Sequence, residues 1–273
     1  MRRFVLPMLA AGCAPDSVGD VRVAPQRPDA VAPTTPDPEP ATEPVDPTTA
    51  PPTTPPTTDG EPPLGVDVSH WNGEIDWEAV AAGGYGFAYA KATEGTYFVD
   101  DSFEDQSGGA FDAGLYRGGY HFGIPDDSSG AEQARFFVDN GGGWTEDGYT
   151  LPGVLDIEWN PNSGNDCYDL SEAELEDWVA DFTEEYRALT GRDAVIYTSR
   201  TWWNLCVDSE AFSANPLWVA DWGVSEPEMP TGWSVWTFWQ TDAYGTVPGI
   251  DGDSDLDVFG GPPSQLAAFA AGT

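Results

Sequence analysis

One lysine, Lys91, and two histidines, His70 and His121, stand in a chain of 273 residues that carries 47 Asp+Glu against 10 Lys+Arg. The formal charge is -37. A partner built of phosphates needs a basic footprint, so nucleic acid is excluded as a ligand. Two histidines, and cysteines without zinc-site spacing, give no support to a metal centre, and no cofactor is expected. No apolar run reaches the roughly 18 residues needed to cross a bilayer. Only three cysteines are present.

Aromatic side chains are plentiful by contrast, at 13% of the chain with 12 Trp. That is more than a core usually needs, and flat exposed rings most often serve sugar ligands. The composition also shifts along the chain. Residues 1–13 begin Met-Arg-Arg, continue through the apolar stretch Phe4 to Ala11 and end in Gly12-Cys13, the layout of a secretory signal. A small residue directly before Cys resembles a bacterial lipoprotein signal, in which Cys13 would carry lipid; an ordinary N-terminus is the alternative. Residues 14–63 are Pro, Thr, Asp, Glu and Ala with almost nothing large and apolar. Such a segment cannot offset its ordering entropy and is expected to be a disordered tether. Residues 64–273 then hold about 38 acids and six bases, a solvated acidic coat whose self-repulsion favours a salty medium.

Periodicity over residues 64–273 alternates strands with helices. Expected strands are Gly65 to Ser69, Phe87 to Lys91, Gly118 to Phe122, Val154 to Glu158, Ala194 to Thr198, Leu217 to Ala220, Val235 to Gln240 and Asp255 to Val258. The clearest helix is Glu172 to Leu189, where Leu175, Trp178, Val179, Phe182, Tyr186 and Leu189 recur at spacings of three and four after Ser171 as N-cap. Eight strand candidates alternating with helices predict an α/β chain closing into a barrel. The last third lacks clear helices between strands, so the expected fold is an irregular, incomplete (β/α) barrel, TIM-barrel-like.

Carboxylates gather at strand ends. In Leu155-Asp156-Ile157-Glu158-Trp159, alternation turns Asp156 and Glu158 to one face and Ile157 to the other. Two acids so held raise each other's proton affinity, which prepares an acid and an anionic partner for glycosidic cleavage. A helix cap or a loop salt bridge would explain the same spacing. Asp67, in Gly65-Val66-Asp67-Val68-Ser69-His70-Trp71, brings a third carboxylate to the same mouth, and Asp255, amid Asp251, Asp253 and Asp257, offers a fourth. That last run is dense in acid but lacks the twelve-residue calcium pattern.

Taken in order, Gly65-Val-Asp-Val-Ser-His-Trp-Asn-Gly, Tyr89-Ala-Lys-Ala-Thr-Glu-Gly, Gly119-Tyr-His-Phe, Leu155-Asp-Ile-Glu, Trp218-Val-Ala, Trp239-Gln and Asp255-Leu-Asp-Val-Phe resemble glycoside hydrolase family 25, the Chalaropsis-type lysozymes. The motifs span nearly all of residues 64–273. The resemblance implies a muramidase acting on the β-1,4 bond between N-acetylmuramic acid and N-acetylglucosamine in peptidoglycan. It implies that Glu158 is the general acid/base, that Asp156 assists the substrate's 2-acetamido group in a retaining reaction, that Asp67 orients the site, and that Asp255 is the family's site aspartate on the last strand. Strand ends add Tyr120, His121, Tyr197, Trp236, Gln240 and Lys91 as candidates for holding glycan, with core packing the alternative for each. Lys91, beside Glu94, is expected to pair with a carboxylate near the site.

Cys167 and Cys206 remain as an even pair in a secreted chain, where a disulfide is the default and two buried thiols the alternative. The expected partner is peptidoglycan, the expected state a monomer, and the expected location extracellular or in the cell envelope, held to the membrane only through lipid on Cys13. Two other readings compete. A catalytically silent sugar-binding lipoprotein would not need Asp156 and Glu158. A chitinase-like or endo-β-N-acetylglucosaminidase barrel typically has a longer acidic run before its glutamate than Pro152-Gly153-Val154-Leu155 provides.

Overall fold

The computed structural model of the protein describes residues 60–162 and 164–273. The signal reading of residues 1–13, including Cys13, and all but the end of the tether at 14–63 lie outside the described residues. Among the described residues no helix is long and apolar enough to cross a membrane.

Nine strands make one sheet: β1 Leu64–Val68, β2 Tyr85–Glu94, β3 Phe98–Val99, β4 Tyr116–Phe122, β5 Val154–Asp156, β6 Val195–Ser199, β7 Leu217–Ala220, β8 Phe238–Gly245 and β9 Ser254–Phe259. Eight of them run β1-β9-β8-β7-β6-β5-β4-β2, and β2 pairs back onto β1, so the ring closes. The short β3 hangs on β2 outside it. From β1 round to β8 through β2 the neighbours are parallel, whereas β9 is antiparallel to both β8 and β1. The helices are α1 Trp77–Ala82, α2 Phe103–Asp112, α3 Gly130–Phe137, α4 Glu172–Thr190, α5 Arg200–Cys206 and α6 Pro263–Ala271. None lies between β7 and β8 or between β8 and β9. The barrel is therefore irregular as expected, and its incompleteness lies in the helices rather than in the ring of strands.

Alternation explains how the ring fills. Phe87 and Tyr89 on β2, Val154 on β5, Tyr197 on β6, Trp218 on β7, Phe238 on β8 and Phe259 on β9 share one buried cluster inside the barrel. Tyr89 and Trp218 stack with centroids 5.0 Å apart, and this aromatic plug is the floor of whatever lies above it. Gly118 makes room for the plug, since a Cβ there would stand 2.2 Å from the Tyr89 ring. Outside the barrel, α4 starts at a capping box between Ser171 and Glu174 and stops at Gly191, whose φ of 74° favours glycine. Its stripe Leu175, Trp178, Val179, Phe182 and Tyr186 is buried, while Leu189, in the last turn, is exposed. The α3 backbone can lie close to α4 because residue 130 is glycine: a Cβ there would meet the Trp178 carbonyl at 2.2 Å.

One strand boundary needs correction. β8 begins at Phe238, not Val235, because pairing with β7 starts where Thr237 N donates to Leu217 O at 2.8 Å. Half of the tryptophan is structural: Trp77, Trp178, Trp202, Trp203, Trp218 and Trp233 are buried.

Cys167 and Cys206 form a disulfide, with Cα atoms 5.4 Å apart, that ties the end of α5 to the loop before α4. Next to it Tyr168 is buried and adopts a positive φ of 59°. Its hydroxyl donates to Gly123 O at 3.3 Å, under the loop that follows β4.

Candidate active site

The C-terminal ends of the parallel strands and the N-terminal end of the antiparallel β9 open on one side of the barrel, where a cleft of about 330 Å³ is found. Asp67 of β1, Asp156 at the end of β5, Glu158 two residues beyond it and Asp255 of β9 all line this cleft. Asp67 and Asp255 are register partners across β1 and β9. Ile157 is buried in the outer core, so alternation separates it from Asp156 and Glu158 as the sequence predicts. The ladder reaches one bond past β5, with Ile157 N donating to Tyr197 O at 3.0 Å, and this fixes the backbone that carries Glu158.

The cleft is acidic, and its carboxyls hold protons more tightly than free ones do. Burial pushes Glu158 up to about 7, against the opposing charge of Lys91. Burial and then the charge of Glu158 raise Asp156 well above the ordinary carboxylate range, with Lys91 again opposing. Both acids of the pair therefore release their protons at higher pH than free carboxyls do. Asp156 Oδ1 is buried and no donor of the protein reaches it. Such an orphan acceptor asks for a donor from a ligand. Asp255 is pushed up to about 9 by burial and by Asp67.

Lys91 Nζ pairs with Glu94 Oε2 at 2.6 Å and lies 5.1 Å from the Phe122 ring centroid. Its charge reaches both Asp156 and Glu158, so it tempers the repulsion between them. Phe122 supplies an apolar wall to the cleft. Trp159, next to Glu158 in sequence, packs against the outer core.

Tyr120, Tyr197 and Gln240 line the cleft as expected. Tyr197 Oη and Trp222 Nε1 each donate to Gln240 Oε1 at 2.9 Å. An indole N–H can only donate, so the Gln240 oxygen must face it and its amide must face Asp67. Gln240 Nε2 accordingly donates to Asp67 Oδ2 at 2.8 Å.

His121 and Trp236 lie elsewhere. On β4 the residue before His121, Tyr120, faces the cleft, so alternation sends His121 outward beneath α3 and α4. It is fully buried, its Nδ1 accepting from Thr93 Oγ1 at 2.8 Å and its Nε2 donating to Gln133 Oε1 at 2.9 Å, and it stacks on Phe182. Burial drives its pKa down to about 4 and leaves the ring neutral. Trp236 precedes β8 and packs edge-on against Trp239, away from the cleft.

Sequence reasoning passed over three cleft tryptophans and one acid beneath them. Trp71, on a short turn after β1, and Trp222, after β7, stand at the rim, 65% and 46% exposed. They are the flat exposed rings that the tryptophan content leads one to seek. Trp218 forms part of the floor. Asp257, one inward step below Asp255 on β9, is buried and accepts from Trp218 Nε1 at 2.9 Å. Its place in the period-two pattern with Asp255 and Phe259 was the available signal.

A family model described as glycosyl hydrolases family 25 matches residues 66–250. Lysozyme M1 of Streptomyces globisporus is 51% identical over 211 residues, covering 77% of this chain and 71% of that protein. An N,O-diacetylmuramidase of Arthroderma benhamiae is 41% identical over 211 residues, covering 76% and 86%. The crystal structure of the bacterial lysozyme from Streptomyces coelicolor superposes with a TM-score of 0.76 at 49% identity, covering 79% of this chain and 100% of that one.

Proposed function

The chain belongs to glycosyl hydrolase family 25, and on that premise we propose that it is a muramidase, hydrolysing the β-1,4 bond between N-acetylmuramic acid and N-acetylglucosamine in peptidoglycan. The observation that carries the reading is the pairing of Asp156 and Glu158 in one acidic cleft, where burial raises both above the ordinary carboxylate range.

Glu158 protonates the leaving glycosidic oxygen; its pKa near 7 keeps a proton available at the pH where it is needed. Asp156 offers its unpartnered Oδ1 to the N–H of the substrate's 2-acetamido group. That hydrogen bond favours the ionised form of Asp156 and leaves the proton of the pair on Glu158. The acetamido oxygen then attacks the anomeric carbon as the leaving oxygen takes the proton. Water, deprotonated by Glu158, opens the resulting ring with overall retention, a substrate-assisted exception to the two-carboxylate scheme. Asp67, fixed by Gln240, and Asp255 orient the sugar, and Trp71 and Trp222 offer faces for neighbouring sugars to stack on.

The catalytic domain is residues 64–273, acting as a monomer. Residues 1–13 export it and residues 14–63 tether it outside the membrane, with lipid on Cys13 as the anchor; labelled fatty acid that is incorporated by the wild type and lost in Cys13→Ala tests that anchor.

The deciding experiment for the activity is mass analysis of reducing ends released from purified peptidoglycan. Muramic acid at those ends supports the reading. N-acetylglucosamine there would make the chain an endo-β-N-acetylglucosaminidase, and binding without release would make it a silent sugar-binding protein.

A further inference from the structure

Beneath the cleft lies an acid that the proposed chemistry does not use. Asp257 is 2% exposed, and its Oδ1 accepts from Trp218 Nε1 at 2.9 Å. Its Oδ2 is buried, and no N–H or hydroxyl of the protein reaches it. Asp67 and Asp257 lie on one face of the β1–β9 ladder, offset by two residues in register, and their side chains interact. Asp67 is itself 9% exposed and already accepts from Gln240 Nε2. The Gln240 amide cannot turn, because Tyr197 and Trp222 both donate to its oxygen. Two carboxyl groups thus meet with neither holding a spare donor, and a hydrogen bond between them requires a proton.

We propose that Asp67 and Asp257 form a carboxyl pair that shares one proton, and that Asp257 is a positioning residue which holds Asp67 in the cleft while halving the charge of the pair. The positioning role rests on Asp67 acting in the cleft as read above; the shared proton does not.

The surroundings favour this state. Asp255 lies above on the same strand, Asp156 and Glu158 face from β5 and the residues after it, and the phenols of Tyr89, Tyr120 and Tyr197 come from β2, β4 and β6. The cations that act on this region are Lys91, felt by Asp156 and Glu158, and Arg192, felt by Tyr89. Burial and then the charge of Asp257 raise Asp67, whereas burial and then the charge of Asp255 raise Asp257, whose contact with Asp67 acts the other way and leaves the shared proton nearer Asp67. A second full charge there would repel the anion that Asp156 must become. The shared proton therefore supports the chemistry above it without touching the substrate.

The test is the proton count of folding. A carboxyl whose folded pKa lies above its unfolded value stabilises fully below the unfolded pKa, and that stability is lost as pH rises through the folded pKa. In Asp257→Asn the amide donates to Asp67 and no shared proton is needed, while Trp218 keeps its acceptor. Relative to wild type, the unfolding equilibrium constant of Asp257→Asn should fall about tenfold per pH unit above roughly pH 4, up to the titration of the pair. Asp67→Asn should delete the same proton, and the double variant no more than either alone. Parallel unfolding curves for wild type and both single variants between about pH 5 and 8, an Asp257→Asn protein that does not fold at the upper end of that range, or a second proton lost in the double variant would each overturn the proposal.

Kinetics separate positioning from mere structure. On cell walls, kcat/KM of Asp257→Asn relative to wild type should rise with pH once the pair titrates; a constant ratio at every pH would mean a structural hydrogen bond only. The unfolding measurements contain no substrate, so the proton count they give holds whatever sugar is found at the reducing ends.

Discussion

Gln240 Nε2 donates to Asp67 Oδ2 at 2.8 Å, joining β8 to β1 across β9 between residues 173 positions apart in sequence. The contact has one direction only, because Trp222 and Tyr197 both donate to the other end of the amide. Gln240→Glu keeps the shape and those two bonds but turns the donor facing Asp67 into an acceptor. A buried group left without its partner costs about 1–3 kcal/mol. The expected result is a loss of tenfold or more in kcat/KM at neutral pH, measured as reducing ends released from cell walls. Activity equal to wild type would mean that the orientation of Asp67 does not matter for turnover.

Glu158→Gln is expected to lower kcat by roughly 10²- to 10⁴-fold, the usual worth of a positioned proton donor. The fold is spared, and at pH 8 it gains. Glu158 has a folded pKa raised to about 7, so its contribution to stability is complete below its unfolded pKa and lost as pH rises through about 7. Removing the charge removes that loss, and the Tm of Glu158→Gln at pH 8 should lie above that of wild type. The same pKa sets the alkaline limb of wild-type kcat/KM, which should fall as the pH passes about 7. A variant with wild-type turnover would exclude Glu158 as the acid.

Much of this site was legible because it is written in strand alternation. Asp156, Ile157 and Glu158 sort to two faces by period two, and every expected strand is present in the ring. The same rule, applied to Gly119-Tyr120-His121-Phe122, would have removed His121 from the cleft at once, since Tyr120 occupies it. A histidine in a polar-looking motif is instead a buried hydrogen-bonding strut between Thr93 and Gln133. Trp236 was misplaced because the strand was started three residues early, and a strand's first pairing depends on its neighbour rather than on its own residues. Trp222 and Asp257 were hidden for a further reason: one follows a strand in a loop, and the other, though its period-two place with Asp255 turns it inward, matters through contacts with β1 and β7 that sequence alone does not bring together.

The Cys167–Cys206 disulfide closes a loop of 39 residues that includes all of α4. By chain entropy it should contribute roughly 3 to 4 kcal/mol. The variant Cys167→Ser, Cys206→Ser, or the reduced wild type, should unfold at a lower denaturant midpoint, with an unfolding free energy lower by about that amount. Tyr168, next to the bridge, anchors the loop after β4 through Gly123, so activity should also decline before global unfolding. A midpoint that does not move would show that α4 packing alone fixes this loop.

The acidic coat leads to an expectation about salt. Five of the six basic residues of the barrel already pair with carboxylates: Lys91, Arg117, Arg135, Arg187 and Arg200. The sixth, Arg192, lies against Trp144 and donates to Phe269 O. None is left to offset the remaining acids, so the folded state carries its excess charge unrelieved. Raising ionic strength shortens the Debye length from about 10 Å at 0.1 M to about 3 Å at 1 M, which weakens repulsion between exposed acids while leaving the buried core untouched. The Tm should therefore climb steadily over this range, with sodium chloride and potassium chloride giving similar curves. Clearing of cell walls should rise with it, because wall polymers that share the enzyme's negative charge repel it least when screened. A Tm that is flat with salt, or clearing that falls throughout, would show that the coat is held apart widely enough for its charges not to interact.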